Sequence, residues 1–438
     1  MSHFRLARLC LLLAAVGLNT APALMTSAHA QKGDAPAAAP ANTVRPELFK
    51  LIDSAQVQQL VAAKNFTELQ NRITQADAIP NKTPYENYVL NRTKLVYGSA
   101  SGNDAVLISA VEAVNASGFE PKETQAKLVL AVAELQYKAK NYNAAVEQVK
   151  RYESLGGDMT VARPLMLRAM YLNKDYAGAQ ALLLQSVADT EKTGKPPTEE
   201  DLKLLRSAAF ETKDTAAYNT AVQKLVTYYP NDEYWNDLIR VGLIKKPGFN
   251  QDNYMLMLRL EFAALKVMRE EDYIDFAETA LREAFPTEAK TVMDAGYAAG
   301  VLGKGANAKA HNTLRDRVNK QAADDAKNIG STEASAAKAK TGAGLVNLGW
   351  AYSTMGQHDK GIGFIQQGIA KGGLKQPDDA KLRLGIAQYK AGQKDAALQT
   401  LAGVKASGGY GDAARLWELL IKHPAGASAT AAAAPAGQ

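Results

Sequence analysis

The chain has 438 residues and a single cysteine, Cys10, which lies inside the first apolar run. Nothing downstream can therefore form a disulfide, a thiolate zinc site or a Cys/His nucleophile pair. Histidine is almost as scarce. Beyond residue 30 only His311, His358 and His423 remain, far apart in sequence. Charge of one sign is not in excess: 51 Lys plus Arg stand against 45 Asp plus Glu, a net +6. A dedicated nucleic-acid binder would carry a basic stripe, so no nucleic-acid partner is expected. No run after residue 30 approaches the roughly 20 apolar residues of a bilayer-spanning helix, so no membrane span is expected in the mature chain. Sustained period-two alternation, a G-x-S-x-G elbow and a phosphate loop are also missing. The run Gly303-Lys304-Gly305-Ala306-Asn307-Ala308 has the spacing of a dinucleotide fingerprint, but it follows a helical pattern and not a strand, so it reads as a turn. No catalytic residue, cofactor or metal is expected.

What is present begins at the N-terminus. Arg5 and Arg8 precede an apolar run, Leu9 to Leu18, and a polar stretch ends in Ala28-His29-Ala30. That order is an export signal, with cleavage expected after Ala30 and delivery to the periplasm or beyond it to the medium. Residues 31–44 and 424–438 are rich in Ala, Pro and Gly and have almost no large apolar side chain, so both read as a flexible linker and a disordered tail.

Between them apolar residues recur three and four apart, as in Leu128, Ala131, Val132 and Leu135, then Ala145, Val146 and Val149. Thr83-Pro84-Tyr85-Glu86 and Thr198 to Asp201 mark helix starts. The fold class is all-α. Lys140, Tyr142 and Ala145 return 34 residues later as Lys174, Tyr176 and Ala179, and Leu348-Gly349, Gly356 and Gly361 return 36 later as Leu384-Gly385, Gly392 and Ala397. Turns are expected near Lys64, Ala100, Lys140, Lys174, Lys213, Glu271, Gly303, Gly356 and Gly392. On these residues the chain resembles the tetratricopeptide-repeat family, which implies a superhelical array of antiparallel helix hairpins. The expected division is an array over 45–320, an irregular insertion over 321–344 and a C-terminal pair with a capping helix over 345–423. Tyr218 and Phe276 fall where a small residue is expected on a second helix, so either their hairpins open or the register shifts.

Carboxylates cluster at Glu199-Glu200-Asp201, Glu270-Glu271-Asp272, Asp324-Asp325 and Asp378-Asp379. Three of these fall at expected helix starts or turns, where negative charge complements the helix dipole. Aromatics are placed more tellingly. Three residues before the turn stand Tyr97, Tyr137, Tyr171, Phe210 and Tyr389. The resemblance implies that first helices line a concave groove, so these rings, with Glu134, Arg168, Lys203 and Trp350, are the candidate partner-binding residues; the competing reading packs the rings between repeats. The expected function is a non-catalytic periplasmic scaffold or adaptor for a protein or peptide of the cell envelope. The alternative is an envelope enzyme or glycan-binding protein with a site in the interruptions at 230–254 or 320–344, which a buried carboxylate cluster would favour.

Overall fold

A computed structural model describes residues 42–245, 248–250, 253–405 and 408–424. The export signal, nearly all of the 31–44 linker and the tail beyond Pro424 lie outside the described residues. Among the described residues the chain is helical almost throughout and has no strand; Phe249 and Gly408 form an isolated parallel bridge. The expectation of an all-α chain of antiparallel helix hairpins is met.

Contacts divide the chain into two units, one ending at Ala179 and one starting at Gln180. The first unit holds α1 (Pro46–Ile52), α2 (Ser54–Ala62), α3 (Phe66–Ala78), α4 (Pro84–Ser101), α5 (Asp104–Ala116), α6 (Lys122–Lys138), α7 (Tyr142–Ser154) and α8 (Met159–Leu172). Helix α9 (Tyr176–Lys192) contains the division. The second unit continues with α10 (Glu199–Glu211), α11 (Thr215–Tyr228), α12 (Asp232–Ile239), a π-helical turn (Arg240–Ile244), α13 (Tyr254–Ala264), α14 (Glu270–Arg282) and α15 (Pro286–Ala298). It ends with α16 (Ala308–Asn328), α17 (Glu333–Lys338), α18 (Ala343–Thr354), α19 (His358–Lys371), α20 (Pro377–Lys390), α21 (Lys394–Ala402) and α22 (Tyr410–Lys422). Residues 321–344, set apart in the sequence as an insertion, thus carry the end of α16 and all of α17.

The helices start where side chains satisfy their first amides. Thr83 and Glu86 form a reciprocal capping box before α4, with Pro84 at the first helical position. Glu86 is also buried, and Arg45 at the head of α1 holds both its oxygens at 2.9 Å. Thr198 accepts from Asp201 N before α10.

One turn recurs. At Lys64, Lys140, Lys174, Lys213, Ala284, Gly356 and Gly392 the backbone is left-handed, with φ between 53° and 81°. The Lys140 N–H donates to Tyr137 O and the Asn141 N–H to Gln136 O; Lys174/Asp175, Lys213/Asp214, Ala284/Phe285, Gly356/Gln357 and Gly392/Gln393 repeat both bonds. This is a Schellman ending, and it closes one helix within two residues of the next. Asp175 and Asp214 then cap the second helix by accepting from Gly178 N and Ala217 N. The turn expected near Ala100 falls at Gly102, φ 75°. The turn expected at Glu271 is a correction: Glu271 lies in the first turn of α14, and the hairpin closes at Ala284. Phe276 is therefore on a first helix, and the small second-helix residue is Ala289, fully buried. At Tyr218 the register holds; Ala217 and Ala221 are the buried residues beside it, while the ring stays half-buried with its hydroxyl 3.3 Å from Asp237 Oδ2.

The small residue five positions after the turn is what lets the helices close. Ala145, Ala179, Ala289 and Ala397 are all fully buried. The α18/α19 hairpin goes further, to backbone against backbone. A Cβ on Gly349 would lie 2.5 Å from Gly361 O, and one on Gly361 would lie 2.5 Å from Gly349 O, whereas one on Gly363 would meet nothing. Gly361→Ala should therefore lower the unfolding free energy by roughly 1–3 kcal/mol through overpacking. Gly363→Ala, on the open side of the same helix, should raise it by about 0.5–1 kcal/mol by removing a mid-helix glycine. Chemical denaturation of the two variants checks this, and equal shifts would contradict the close crossing.

Candidate functional site

The nine residues picked from the sequence are distributed unevenly between surface and interior. In the first unit Tyr97 is buried on α4, with its hydroxyl donating to Gln70 Oε1 at 3.0 Å. Tyr137 and Tyr171, at the ends of α6 and α8, are half-buried because each packs on the tyrosine that opens its own second helix. Tyr137 meets Tyr142 at 5.7 Å, and Tyr171 meets Tyr176 edge-on at 5.0 Å. Glu134 is half-buried, and Arg168 is exposed. Leu172, beside Tyr171, is 50% exposed, an apolar side chain that the sequence reading passed over.

In the second unit Phe210 occupies the same place on α10, but residue 215 is a threonine, so no ring covers it. Its side chain is 70% exposed. Lys203, one and a half to two turns earlier, is exposed and pairs with Glu199 at 2.9 Å, with the Tyr234 ring 5.9 Å from its Nζ. The hydrogen bonds of Glu199 and Tyr234 hold its ammonium above the usual range. Tyr389 is half-buried against Trp417. Trp350 is fully buried.

Trp350 belongs to a buried polar cluster within the second unit. Arg259 of α13 binds Glu288 of α15 with both arms, Nε to Oε1 at 2.9 Å and Nη2 to Oε2 at 2.8 Å. The Trp350 indole donates to Glu288 Oε2 at 3.1 Å, and the Arg259 guanidinium lies 4.6 Å from the Trp350 ring centre. Burial pushes the Glu288 carboxyl up, but Arg259, Lys390 and the indole outweigh it and hold it below the usual range. A cavity of about 190 Å³ opens on this cluster, walled by Phe262, Phe276, Trp350, Ile386 and Trp417, with Lys390 on its lining.

A second charged cluster sits where the helical pattern breaks. The π-helical turn after α12 brings Arg240 Nη2 to 2.8 Å from Asp272 Oδ2 and 3.1 Å from Glu261 Oε1. Arg269 holds Asp272 at 2.8 and 3.0 Å. Glu261 is fully buried, yet its oxygens accept no well-formed hydrogen bond. Burial, and then the charge of Asp272, push its carboxyl up to about 7. A signal for both clusters was present in the sequence: Arg259 and Glu261 are the charges inside Tyr254–Ala264, a helix otherwise apolar on every side.

The histidines are members of neither cluster, although the Lys390 charge acts on His358. His311 is buried, its Nδ1 accepting from Gly303 N; His358 opens α19 beside Ser353; His423 follows α22.

No protein-family description matches the chain, and no curated protein does. Solved structures that it resembles include the TPR2AB domain of yeast Sti1 in complex with pHSP90, 15% identical over 67% of this chain and 90% of that one, at a TM-score of 0.23. The TPR domain of P58(IPK) is 12% identical over 86% and 99%, at 0.21. Yeast Tom70 is 10% identical over 86% and 96%, at 0.22. At such scores the likeness adds nothing to what the hairpins themselves show, which is tetratricopeptide-like geometry.

Glu261 yields a pH dependence. Its folded pKa, about 7, lies above the ordinary 4.5, so the folded chain keeps a proton that the unfolded chain has released. Stability from this group is fully present below pH 4.5 and is lost as pH rises through about 7. Glu261→Gln should flatten that part of the profile and make the protein more stable than wild type at pH 8. Denaturation midpoints between pH 4.5 and 8 test it; parallel profiles for the two proteins would sink the assignment.

Proposed function

We propose that this chain is a non-catalytic scaffold of the cell envelope that holds a protein or peptide partner along the first-helix faces of its hairpins. The observation that carries the reading is Phe210, whose ring is 70% exposed at the end of a first helix. Leu172 stands at the end of another, 50% exposed. Large apolar side chains left in water near the ends of first helices are what a partner would cover, and aromatic residues dominate the energetics of such contacts. Lys203 and Arg206 lie on the same helix as Phe210 and give its surroundings a polar, charged rim. The location rests on the arginine-led apolar run Leu9 to Leu18 and the Ala28-His29-Ala30 that follows it.

The enzyme alternative draws on the carboxylates Glu261 and Asp272, close to the 230–254 interruption. They are 0% and 2% exposed, sealed by Arg240 and Arg269, and no substrate reaches them without opening the packing.

The test places a photo-crosslinking amino acid at Phe210 or Leu172 in cells, with Gly363 as an open helical control. Ultraviolet light should give a discrete adduct to one envelope protein from the first two positions and none from the control. Phe210→Ala should then weaken binding of that partner by about 1–2 kcal/mol with no change in melting temperature. Adducts from all three positions alike, or full binding by Phe210→Ala, would refute the reading.

A further inference from the structure

The cavity between α13, α14, α15, α18, α20 and α22 has two polar groups that the fold leaves without a hydrogen bond. Glu288 and Arg259 neutralise each other, with every Glu288 oxygen occupied. Lys390 is different. It makes no ion pair or hydrogen bond among the described residues; its Nζ lies 5.3 Å from the Trp350 ring centroid and feels the Glu288 charge only at a distance. Among the described residues its ammonium therefore has no carboxylate within ion-pair distance, while Arg259 has two, Glu288 and, at 3.8 Å, Glu283. Although the residue as a whole is exposed, the packing around its ammonium pushes the Lys390 pKa down, with Arg259 acting in the same direction against Glu288. The second group is the indole N–H of Trp417, 98% shielded as a residue and without an acceptor. A buried N–H left unpaired costs about 1–3 kcal/mol.

The walls have the opposite character. Phe262, Phe276, Trp350 and Trp417 supply four aromatic surfaces, and Val292 and Ile386 complete an apolar lining. An apolar cavity of about 150 Å³ accommodates benzene, and this one is about 190 Å³. A buried N–H without an acceptor, an ammonium without a carboxylate in contact and aromatic walls of ring size together fit one kind of ligand: a planar apolar body bearing one anionic acceptor.

We propose that this cavity binds a small aromatic monocarboxylate, with the carboxylate paired to Lys390 and the ring packed among Phe262, Phe276, Trp350 and Trp417. The site is separate from the Phe210 surface, so it stands or falls independently of the scaffold reading. A charged acceptor restores what Lys390 lacks, and the low-dielectric walls strengthen that pairing relative to water.

The probe is 3-phenylpropionate, with 3-phenylpropanamide as its neutral isostere and propionate as the anion without a ring. Intrinsic tryptophan fluorescence of the full mature chain reads the binding, since two of the three tryptophans line the cavity. The expected result is a saturable change with 3-phenylpropionate at submillimolar concentration, and affinities at least about 10-fold weaker for the amide and for propionate. Lys390→Met should weaken 3-phenylpropionate by about 10-fold or more while Lys390→Arg stays within about 3-fold, both melting as wild type does. No saturable change up to about 10 mM, or equal affinity for acid and amide in the wild-type protein, would overturn the proposal. Undiminished binding by a folded Lys390→Met variant would overturn it too.

Discussion

Everything in this chain depends on one local event, a helix that ends in a left-handed residue and starts again two residues later. The Schellman bonds at Lys140, Lys174, Lys213, Ala284, Gly356 and Gly392 reverse the chain so tightly that the two helices must touch. Touching requires a side chain near the turn to be almost absent, hence Ala145, Ala179, Ala289, Gly361 and Ala397. The consequence reaches function. Because second helices bury their small residues, the ends of the first helices are where large side chains are free to vary between packing and exposure. Tyr137 and Tyr171 pack on a ring across the turn; Phe210 faces Thr215 and is left in water. In these three hairpins the residue across the turn goes with whether the ring is covered; at Tyr389, where that residue is Lys394, Trp417 covers it instead.

The second unit adds charge to this scheme. Its interruption after α12 supplies Arg240 to Asp272 and Glu261, and the apolar helix α13 supplies Arg259 to Glu288 and Trp350. Pairs this deep gain little net stability, because desolvation offsets attraction, but removing one partner is costly. They therefore fix how α13, α14, α15 and α18 meet. In doing so they leave a cavity on which the Trp417 indole N–H has no acceptor and the Lys390 ammonium has no carboxylate in contact.

The sequence conveyed much of this. The 34-residue return of Lys140, Tyr142 and Ala145 located two hairpin turns to the residue, and the capping box at Thr83 located a helix start, because both depend on backbone hydrogen bonds a few residues apart. Failure came where distant residues decide. A turn is expected near Glu271, yet the left-handed position is Ala284, an alanine in a conformation that sequence gives no reason to assign to it. Trp350 was chosen as a surface aromatic and is wholly buried, since its partners come from α13 and α15, and no periodicity within α18 reveals them. The exposure of Phe210 was legible in principle from the lack of a ring at 215, which becomes meaningful only once the tyrosine pairs are seen.

The central claim is that the left-handed turn is the element on which the hairpins depend, and lysine occupies it at a cost. A non-glycine residue in that conformation loses roughly 1–2 kcal/mol relative to a helical one. Lys140, Lys174 and Lys213 are exposed at φ 59–63°. The most direct measurement is the equilibrium unfolding free energy of Lys140→Gly, Lys174→Gly and Lys213→Gly, singly and combined. Each should stabilise the protein by up to about 1 kcal/mol, with gains that add because the turns are separate. Lower stability in all three single variants would contradict the account, for it would mean that the lysine side chains and not the backbone conformation hold the hairpins closed.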